Sequence, residues 1–213
     1  MTGVEAVGLA LAYLIGAIPV GLTIGLIRRV DVRKIGSGNI GATNVVRGLG
    51  LGFGLLVFAV DVLKGIGAVL LCGYLGAEGW LLGMAALFAV LGHCFSPYMG
   101  FKGGKGVATA LGTLLALSPL VSLIVLGVWL VVALPTRLVS LASILAAVSM
   151  PIGFYVINPT SLEMVVPLAA LAITVLGRHN ENIQRLLKGK ENRFGSSSKS
   201  CAVAPEQAEA REQ

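Results

Sequence analysis

Apolar residues run along this chain in long blocks, separated by shorter stretches rich in polar residues and glycine. A helix needs about 20 apolar residues to cross a bilayer. Windows of that kind fall at 4–27, 51–76, 79–98, 119–136 and 138–157. Two further blocks, 107–117 and 164–177, are short for an upright span and suit short or tilted ones. The first of these is followed by Ser118-Pro119, a break signal. The pattern predicts an all-α fold, a polytopic membrane helix bundle.

Composition supports this reading. Of 213 residues, 56% are hydrophobic and 12% charged, against about 25% charged in soluble domains. The 29 glycines and sparse aromatics suit helices that approach closely through small residues. Cys72, Cys94 and Cys201 are too scattered for a disulfide framework or a zinc site, so no metal is expected. Met1 to Val4 carry no basic residue and the first apolar block outruns a signal core, which predicts a permanent first span.

Basic residues set the number of crossings. Arg28, Arg29, Arg33, Lys34 and Arg47 follow the first block, Lys102 and Lys105 the third, Arg137 the fifth, and seven more lie from Arg178 to Arg211. If 107–136 is a hairpin broken at Ser118-Pro119, about seven transmembrane helices result. Fifteen of the sixteen Lys and Arg then share one face, and only Lys64 lies within a span. The opposite face carries Glu5, Glu78 and Glu163. The positive-inside rule makes the basic face cytoplasmic, with the N-terminus outside and the C-terminus inside. Residues 1–194 read as one membrane domain and 195–213, which lack apolar periodicity, as a disordered cytoplasmic tail.

Three polar islands fall on the predicted cytoplasmic face. The first, K-I-G-S-G-N-I-G-A-T-N-V-V-R (34–47), contains the letters of a dinucleotide fingerprint, with Asp61 twenty residues past its last glycine. That site needs a strand before the glycines, and here they lie between membrane helices. What survives is backbone able to approach an anion near a helix N-terminus. Ser37, Asn39, Thr43 and Asn44 add neutral hydrogen-bonding groups, and Arg47 a fork suited to phosphate oxygens.

The second island, H-C-F-S-P-Y-M-G-F-K-G-G-K-G-V-A-T (93–109), imitates a P-loop but has the wrong spacing and no Ser or Thr after the lysine. ATP hydrolysis is not indicated. Gly103, Gly104 and Gly106, with Lys102 and Lys105 among them, still predict an anion cradle before a helix beginning near Val107. His93, near the end of the third block, reads as structural. In the third island, G-R-H-N-E-N-I-Q-R-L-L-K-G-K-E (177–191), His179 and Asn182 share a helix face that Arg185 continues. Asp61 and Lys64, also three apart, form an ionisable pair within the second span and read as supporting residues.

Together the islands closely resemble the three motifs of the bacterial acyl-phosphate:glycerol-3-phosphate acyltransferases, the PlsY family. The matching stretches are G-S-G-N-I-G-A-T-N-V-x-R, G-H-x-F-S-P-Y-M-G-F-K-G-G-K-G-V-A-T and H-x-E-N-I-x-R-L-x-x-G-x-E, with D-V-L-K-G at 61–65. The resemblance covers residues 1 to about 195. It implies a seven-helix enzyme of the bacterial cytoplasmic membrane that moves a fatty acyl group from acyl phosphate to the 1-hydroxyl of sn-glycerol 3-phosphate. The implied products are lysophosphatidic acid and inorganic phosphate, in the first step of phospholipid synthesis. The family's essential serine and arginine fall on Ser37 and Arg47. Its phosphate-binding loop falls on Gly103 to Gly106, its active-site histidine and asparagine on His179 and Asn182, and its structural glutamate on Glu191.

Acyl phosphate is already an activated anhydride, so no cofactor is expected. The expected partners are the two substrates and membrane lipids, without nucleic acid, and the expected state is monomeric. The hydroxyl proton has two candidate acceptors, His179 as general base and a substrate phosphate, with Ser37 and Asn182 orienting the reactants. A covalent acyl-Ser37 intermediate is a third route. The competing class is a transporter or binding protein for an organic phosphate. It should show two related halves and midplane charges, whereas all three islands here share one face.

Overall fold

The structure, a computed structural model, describes residues 2–195. Chain order gives α1 (Gly3–Ala17), α2 (Val20–Ile27), α3 (Ala42–Leu49), α4 (Leu51–Tyr74) and α5 (Trp80–Cys94). There follow α6 (Val107–Leu117), α7 (Pro119–Thr136), α8 (Val139–Ile157), α9 (Val165–Arg178) and α10 (Asn180–Leu187). No strand occurs among the described residues. The predicted tail, with Cys201, lies outside them from residue 196 onward.

Local chemistry explains the ends and breaks. Thr2 and Glu5 form a reciprocal cap: the Thr2 hydroxyl accepts the Glu5 N–H at 3.3 Å, and the Glu5 carboxylate accepts the Thr2 N–H at 2.5 Å. Pro19 cannot continue the hydrogen-bond ladder, so the first apolar block breaks at Ile18-Pro19 into α1 and α2, a feature absent from the sequence reading. Pro119, at the predicted Ser118-Pro119 break, opens α7 at a position where a missing N–H costs nothing.

Five helical stretches are long and apolar enough to cross a membrane: Gly3–Ile27, Leu51–Tyr74, Trp80–Met99, Pro119–Thr136 and Val139–Ile157. Leu162–Arg178 and Asn180–Leu187, bent by 60° at their junction, bring the number to six if the pair is one span, and Val107–Leu117 is a shorter apolar helix. Leu63, Leu70, Val131, Leu134, Val156 and Ile173 are exposed on outward faces, as lipid-facing side chains should be.

Association of helices in lipid relies on close packing more than on hydrophobic exclusion. α5 packs against α1, α4, α6 and α9. A Cβ on Gly16 would lie 1.9 Å from the Ala89 carbonyl oxygen, and one on Gly92 2.0 Å from that of Tyr13, so α1 and α5 meet backbone to backbone. The same holds for α4 and α6: a Cβ on Gly65 would lie 2.3 Å from the Thr109 oxygen, and one on Gly112 2.0 Å from that of Val62. The second contact fixes α6, and with it the mouth of the second island, beside the charged turn of α4.

Candidate active site

The first island is organised from behind by one buried amide. Asn44 Oδ1 accepts the Ser37 N–H at 2.8 Å and the Ser37 hydroxyl at 3.2 Å. Its Nδ2 donates to the carbonyls of Val32 at 2.8 Å and Ile35 at 3.2 Å. Gly36, at φ +52°, brings the chain so near that a Cβ there would sit 2.4 Å from Asn44 Oδ1. Asn44 thus shapes the loop, and it lines, with Ser37, Asn39, Thr43 and Arg47, a cavity of about 310 Å³. Because the Ser37 hydroxyl donates to Asn44, its lone pairs remain available to accept. Arg47 is exposed and has no ion-pair partner among the described residues.

The second island divides its groups differently from the expected cradle. Gly103 N–H donates to the Cys94 carbonyl and Gly104 N–H to that of His93, both at 3.0 Å, which satisfies the last carbonyls of α5. A Cβ on Gly103 would lie 2.1 Å from the His93 oxygen, and one on Gly104 2.2 Å from His93 Nε2. The carbonyls of Gly103 and Gly104 accept Arg178 Nη2 at 2.8 Å and Nε at 3.0 Å. The two glycines predicted to meet phosphate therefore direct their amides at α5, and Lys102 is exposed; none of the three lines the cavity. Lys105, Gly106, Val107 and Ala108 do. Gly106, at φ +79°, is the N-cap of α6 and no side chain caps that helix, so its first N–H groups and their partial positive charge face the cavity.

The third island closes the ring. Lys105 Nζ donates to Asn182 Oδ1, and Asn182 Nδ2 donates to Glu191 Oε1 at 2.7 Å. The same Glu191 oxygen accepts the Ser140 hydroxyl at 3.0 Å, and Oε2 accepts Arg185 Nε at 2.8 Å. Partial burial opposes ionisation of Glu191, but hydrogen bonds from Asn182, Arg185 and Ser140 hold its carboxyl below the usual range. Burial, reinforced by the nearby Arg185 charge, brings Lys105 down to about 8. His179 is buried at the bend between α9 and α10, with Nδ1 2.8 Å from the Val175 carbonyl oxygen. A carbonyl only accepts, so Nδ1 carries the proton and Nε2 of the neutral ring keeps its lone pair. His179, Asn182 and Glu191 all line the cavity.

Beneath the cavity, Lys64 Nζ lies 2.7 Å from Asp61 Oδ1, 2.8 Å from His93 Nδ1 and 3.0 Å from the Ile18 carbonyl oxygen. The Ile18 and His93 contacts are hydrogen bonds, whereas Asp61 Oδ1 accepts none among the described residues and holds Lys64 as an ion pair. The predicted Asp61–Lys64 pair is thereby joined by His93, and Lys64 also binds a carbonyl at the α1–α2 break, that of Ile18. Asp61 and His93 reach the cavity wall, whereas Lys64 does not.

An apolar pocket of about 120 Å³ lies next to the cavity. Phe58, Val107, Trp129 and Ser143 line both spaces. Among the described residues no group of three His, Cys, Asp or Glu is placed to hold a metal ion.

Sequence reading identified most of the charged and polar side chains of the cavity wall. It missed Ser140 on α8, which lies within an apolar block and carries no local signal, and it did not single out Asn44 as the residue that holds the loop. Arg178 entered only as a charge.

Comparison with known proteins bears on what this geometry serves. Residues 6–189 match the family model described as glycerol-3-phosphate acyltransferase. The chain is 44% identical over 194 residues to the glycerol-3-phosphate acyltransferase of Rubrobacter xylanophilus, covering 91% of this chain and 97% of that protein. It is 48% identical over 186 residues to that of Aquifex aeolicus, covering 86% and 95%. Crystal structures of PlsY, an integral membrane glycerol 3-phosphate acyltransferase, superpose on it with a TM-score of 0.86 for the glycerol 3-phosphate form (44% identity). The lysophosphatidic acid form gives 0.83 (43% identity), and both cover 91% of this chain and 96% of the other. With a match over nearly all of the membrane-embedded chain and the three islands gathered around one cavity, the protein belongs to the glycerol-3-phosphate acyltransferase family.

Proposed function

We propose that this acyltransferase moves a fatty acyl group from acyl phosphate to the 1-hydroxyl of sn-glycerol 3-phosphate, giving 1-acyl-sn-glycerol 3-phosphate and inorganic phosphate. The observation that carries the reading is one cavity lined by two sets of anion-receptive groups, Arg47 from the first island and Lys105 with the α6 N-terminus from the second, beside an apolar pocket. Two phosphate-bearing substrates and an acyl chain need that combination.

In the reaction, the hydroxyl oxygen forms a bond to the acyl carbon, the bond from that carbon to the phosphate oxygen breaks, and inorganic phosphate leaves. Fixed cations and helix N–H groups stabilise the charge that develops on the leaving oxygen; such preorganised electrostatics are commonly the largest catalytic contribution. Asn182 ties Lys105 to the Glu191 network and so holds the ammonium in place, while Ser37 is set to accept the substrate hydroxyl. The proton passes to His179 Nε2 or to a phosphate oxygen of the substrate. Near-normal turnover and an unchanged pH profile in His179→Gln would leave the phosphate as acceptor. Because the donor is an activated anhydride, this route asks for no metal, nucleotide or other cofactor.

Seven crossings, with the N-terminus outside and the site facing the cytoplasm of a bacterial cell, follow from the distribution of Lys and Arg. A monomer satisfies the proposal, since one chain supplies the whole cavity wall. The decisive assay supplies purified protein with acyl phosphate and radiolabelled glycerol 3-phosphate. Equal release of lysophosphatidic acid and inorganic phosphate is the expected result. Activity with acyl-CoA alone, or phosphate release without the lipid product, would overturn the proposal.

A further inference from the structure

We infer that Arg178 is a positioning residue for phosphate recognition: its guanidinium fixes the Gly103-Gly104 peptides, and thereby sets where Lys105 and the N-terminus of α6 meet a substrate phosphate. The inference rests on the reading of the cavity proposed above. Arg178 is half-buried, lies outside the cavity wall and pairs with no carboxylate among the described residues. Instead Nη2 and Nε donate to two consecutive carbonyls, at 2.8 Å and 3.0 Å, and the guanidinium stacks 5.5 Å from the centre of the Phe95 ring. A charged group with no counter-charge, placed at the end of an apolar helix, is costly unless it does something for the fold or the site.

The held peptides are clamped from both sides, since their N–H groups cap α5 while their carbonyls bind Arg178. The next residue is Lys105, whose flexible stem cannot position itself. On the other strand of the contact, the residue after Arg178 is His179, and Lys105 reaches Asn182 one turn later. Arg178 and Lys105 therefore bind the second island to the third at two points. A planar fork spans two adjacent carbonyls, whereas a lysine ammonium at the same Cα does not.

The test uses the purified full-length chain, varying glycerol 3-phosphate and the acyl donor in turn. Arg178→Gln and Arg178→Lys should both raise the KM of one phosphate substrate by about tenfold to a hundredfold, as loss of two charge-assisted hydrogen bonds implies. Their kcat should fall as well, because the Lys105 they displace also stabilises the leaving phosphate, and the substrate whose KM rises is the one that docks at Lys105. Wild-type KM in Arg178→Gln, or full recovery in Arg178→Lys, overturns the inference. If both variants prove too unstable to purify, Phe95→Leu decides: a raised KM with an unchanged melting temperature supports positioning, and a lowered melting temperature with wild-type KM reduces Arg178 to a stability residue. Calorimetric binding of glycerol 3-phosphate, and of inorganic phosphate, to the same variants gives a readout that survives failure of the proposed reaction. A wild-type protein that transfers no acyl group from acyl phosphate overturns the reaction, and unaltered affinities for both ligands in Arg178→Gln overturn the inference.

Discussion

The loop from Lys34 to Gly41 and the loop from Gly100 to Gly106 look alike as sequence: each is rich in glycine, each contains lysine, and each leads into a helix. Folded, they divide their groups in opposite ways. The first wraps its backbone around the Asn44 amide and turns side chains, Ser37 and Asn39, toward the cavity. The second uses its glycine backbone to seal the end of α5 against Arg178, and delivers one lysine and an uncapped helix to the cavity. A glycine-rich loop beside a phosphate site is thus no guarantee that its own amides bind the phosphate. Glycine serves here mainly to let backbone approach a neighbour: a side-chain amide in one loop, a helix end in the other.

The largest effects should come from the groups the two loops present. Arg47→Ala and Lys105→Ala should each lower kcat/KM by about a thousandfold, the scale of losing a buried-charge or oxyanion contact in a transition state. Melting temperatures should stay near wild type, because Arg47 is exposed and Lys105 only partly buried. The supports come next, and they separate the loops. Gly104→Ala places a Cβ 2.2 Å from His93 Nε2, so the loop must move off α5 and activity should fall about a hundredfold, a barrier change of roughly 3 kcal/mol. Asn44→Ala strips the first loop of its organiser and should destabilise the protein by about 2–4 kcal/mol, several buried hydrogen bonds being lost with their partners left unpaired. Steady-state kinetics and thermal unfolding in detergent check both. A catalytic loss in Asn44→Ala without destabilisation would mean that Asn44 itself meets substrate.

How much of this was legible beforehand depends on the range of the physics. The apolar blocks were legible because bilayer thickness sets their length, and Ser118-Pro119 because proline acts locally. The break at Ile18-Pro19 was not, since a membrane helix accommodates proline when something else takes up the freed carbonyl. Here the carbonyl that Pro19 leaves, that of Ile15, takes the Ile18 N–H, and Lys64, 46 residues on, binds the Ile18 carbonyl. The cavity wall was legible as three polar islands, because polar residues inside apolar sequence are costly and so informative. Which polar residue organises the loop was not: Asn44 and Ser37 are both neutral hydrogen-bonding residues on the cavity wall, and only the path of the backbone gives the Asn44 amide four loop partners. Ser140 gave no signal, as a lone serine in an apolar helix ordinarily bonds its own backbone.

A smaller effect tests the cationic side of the second loop by pH. Lys105 carries its charge below about 8 and loses it above, well before an ordinary lysine would. Its service to a phosphate therefore ends on the alkaline side. kcat/KM, which reports ionisations of the free enzyme, should fall toward tenfold per pH unit above that point. Lys105→Arg, always charged, should lose absolute activity but keep a flat profile through the same range. An alkaline fall that persists unchanged in Lys105→Arg would assign the ionisation to another group.

The smallest effect is the sharpest test of the contrast between the loops. Lys102 and Lys105 are three residues apart in one glycine-rich loop, and sequence alone gives both to phosphate. In the structure Lys102 is exposed and off the cavity wall, whereas Lys105 reaches Asn182. An exposed cation acts through screened, long-range attraction, whose reach is about 8–10 Å at physiological salt. Lys102→Ala should therefore change kcat/KM by about twofold at low ionic strength, and the difference should vanish as salt is added. The defect of Lys105→Ala should persist, because a direct contact in a sheltered cavity is screened far less. If salt does not distinguish the two variants, Lys102 contacts substrate in the working enzyme, and the second loop must turn more of itself toward the cavity than its packing against α5 and Arg178 allows.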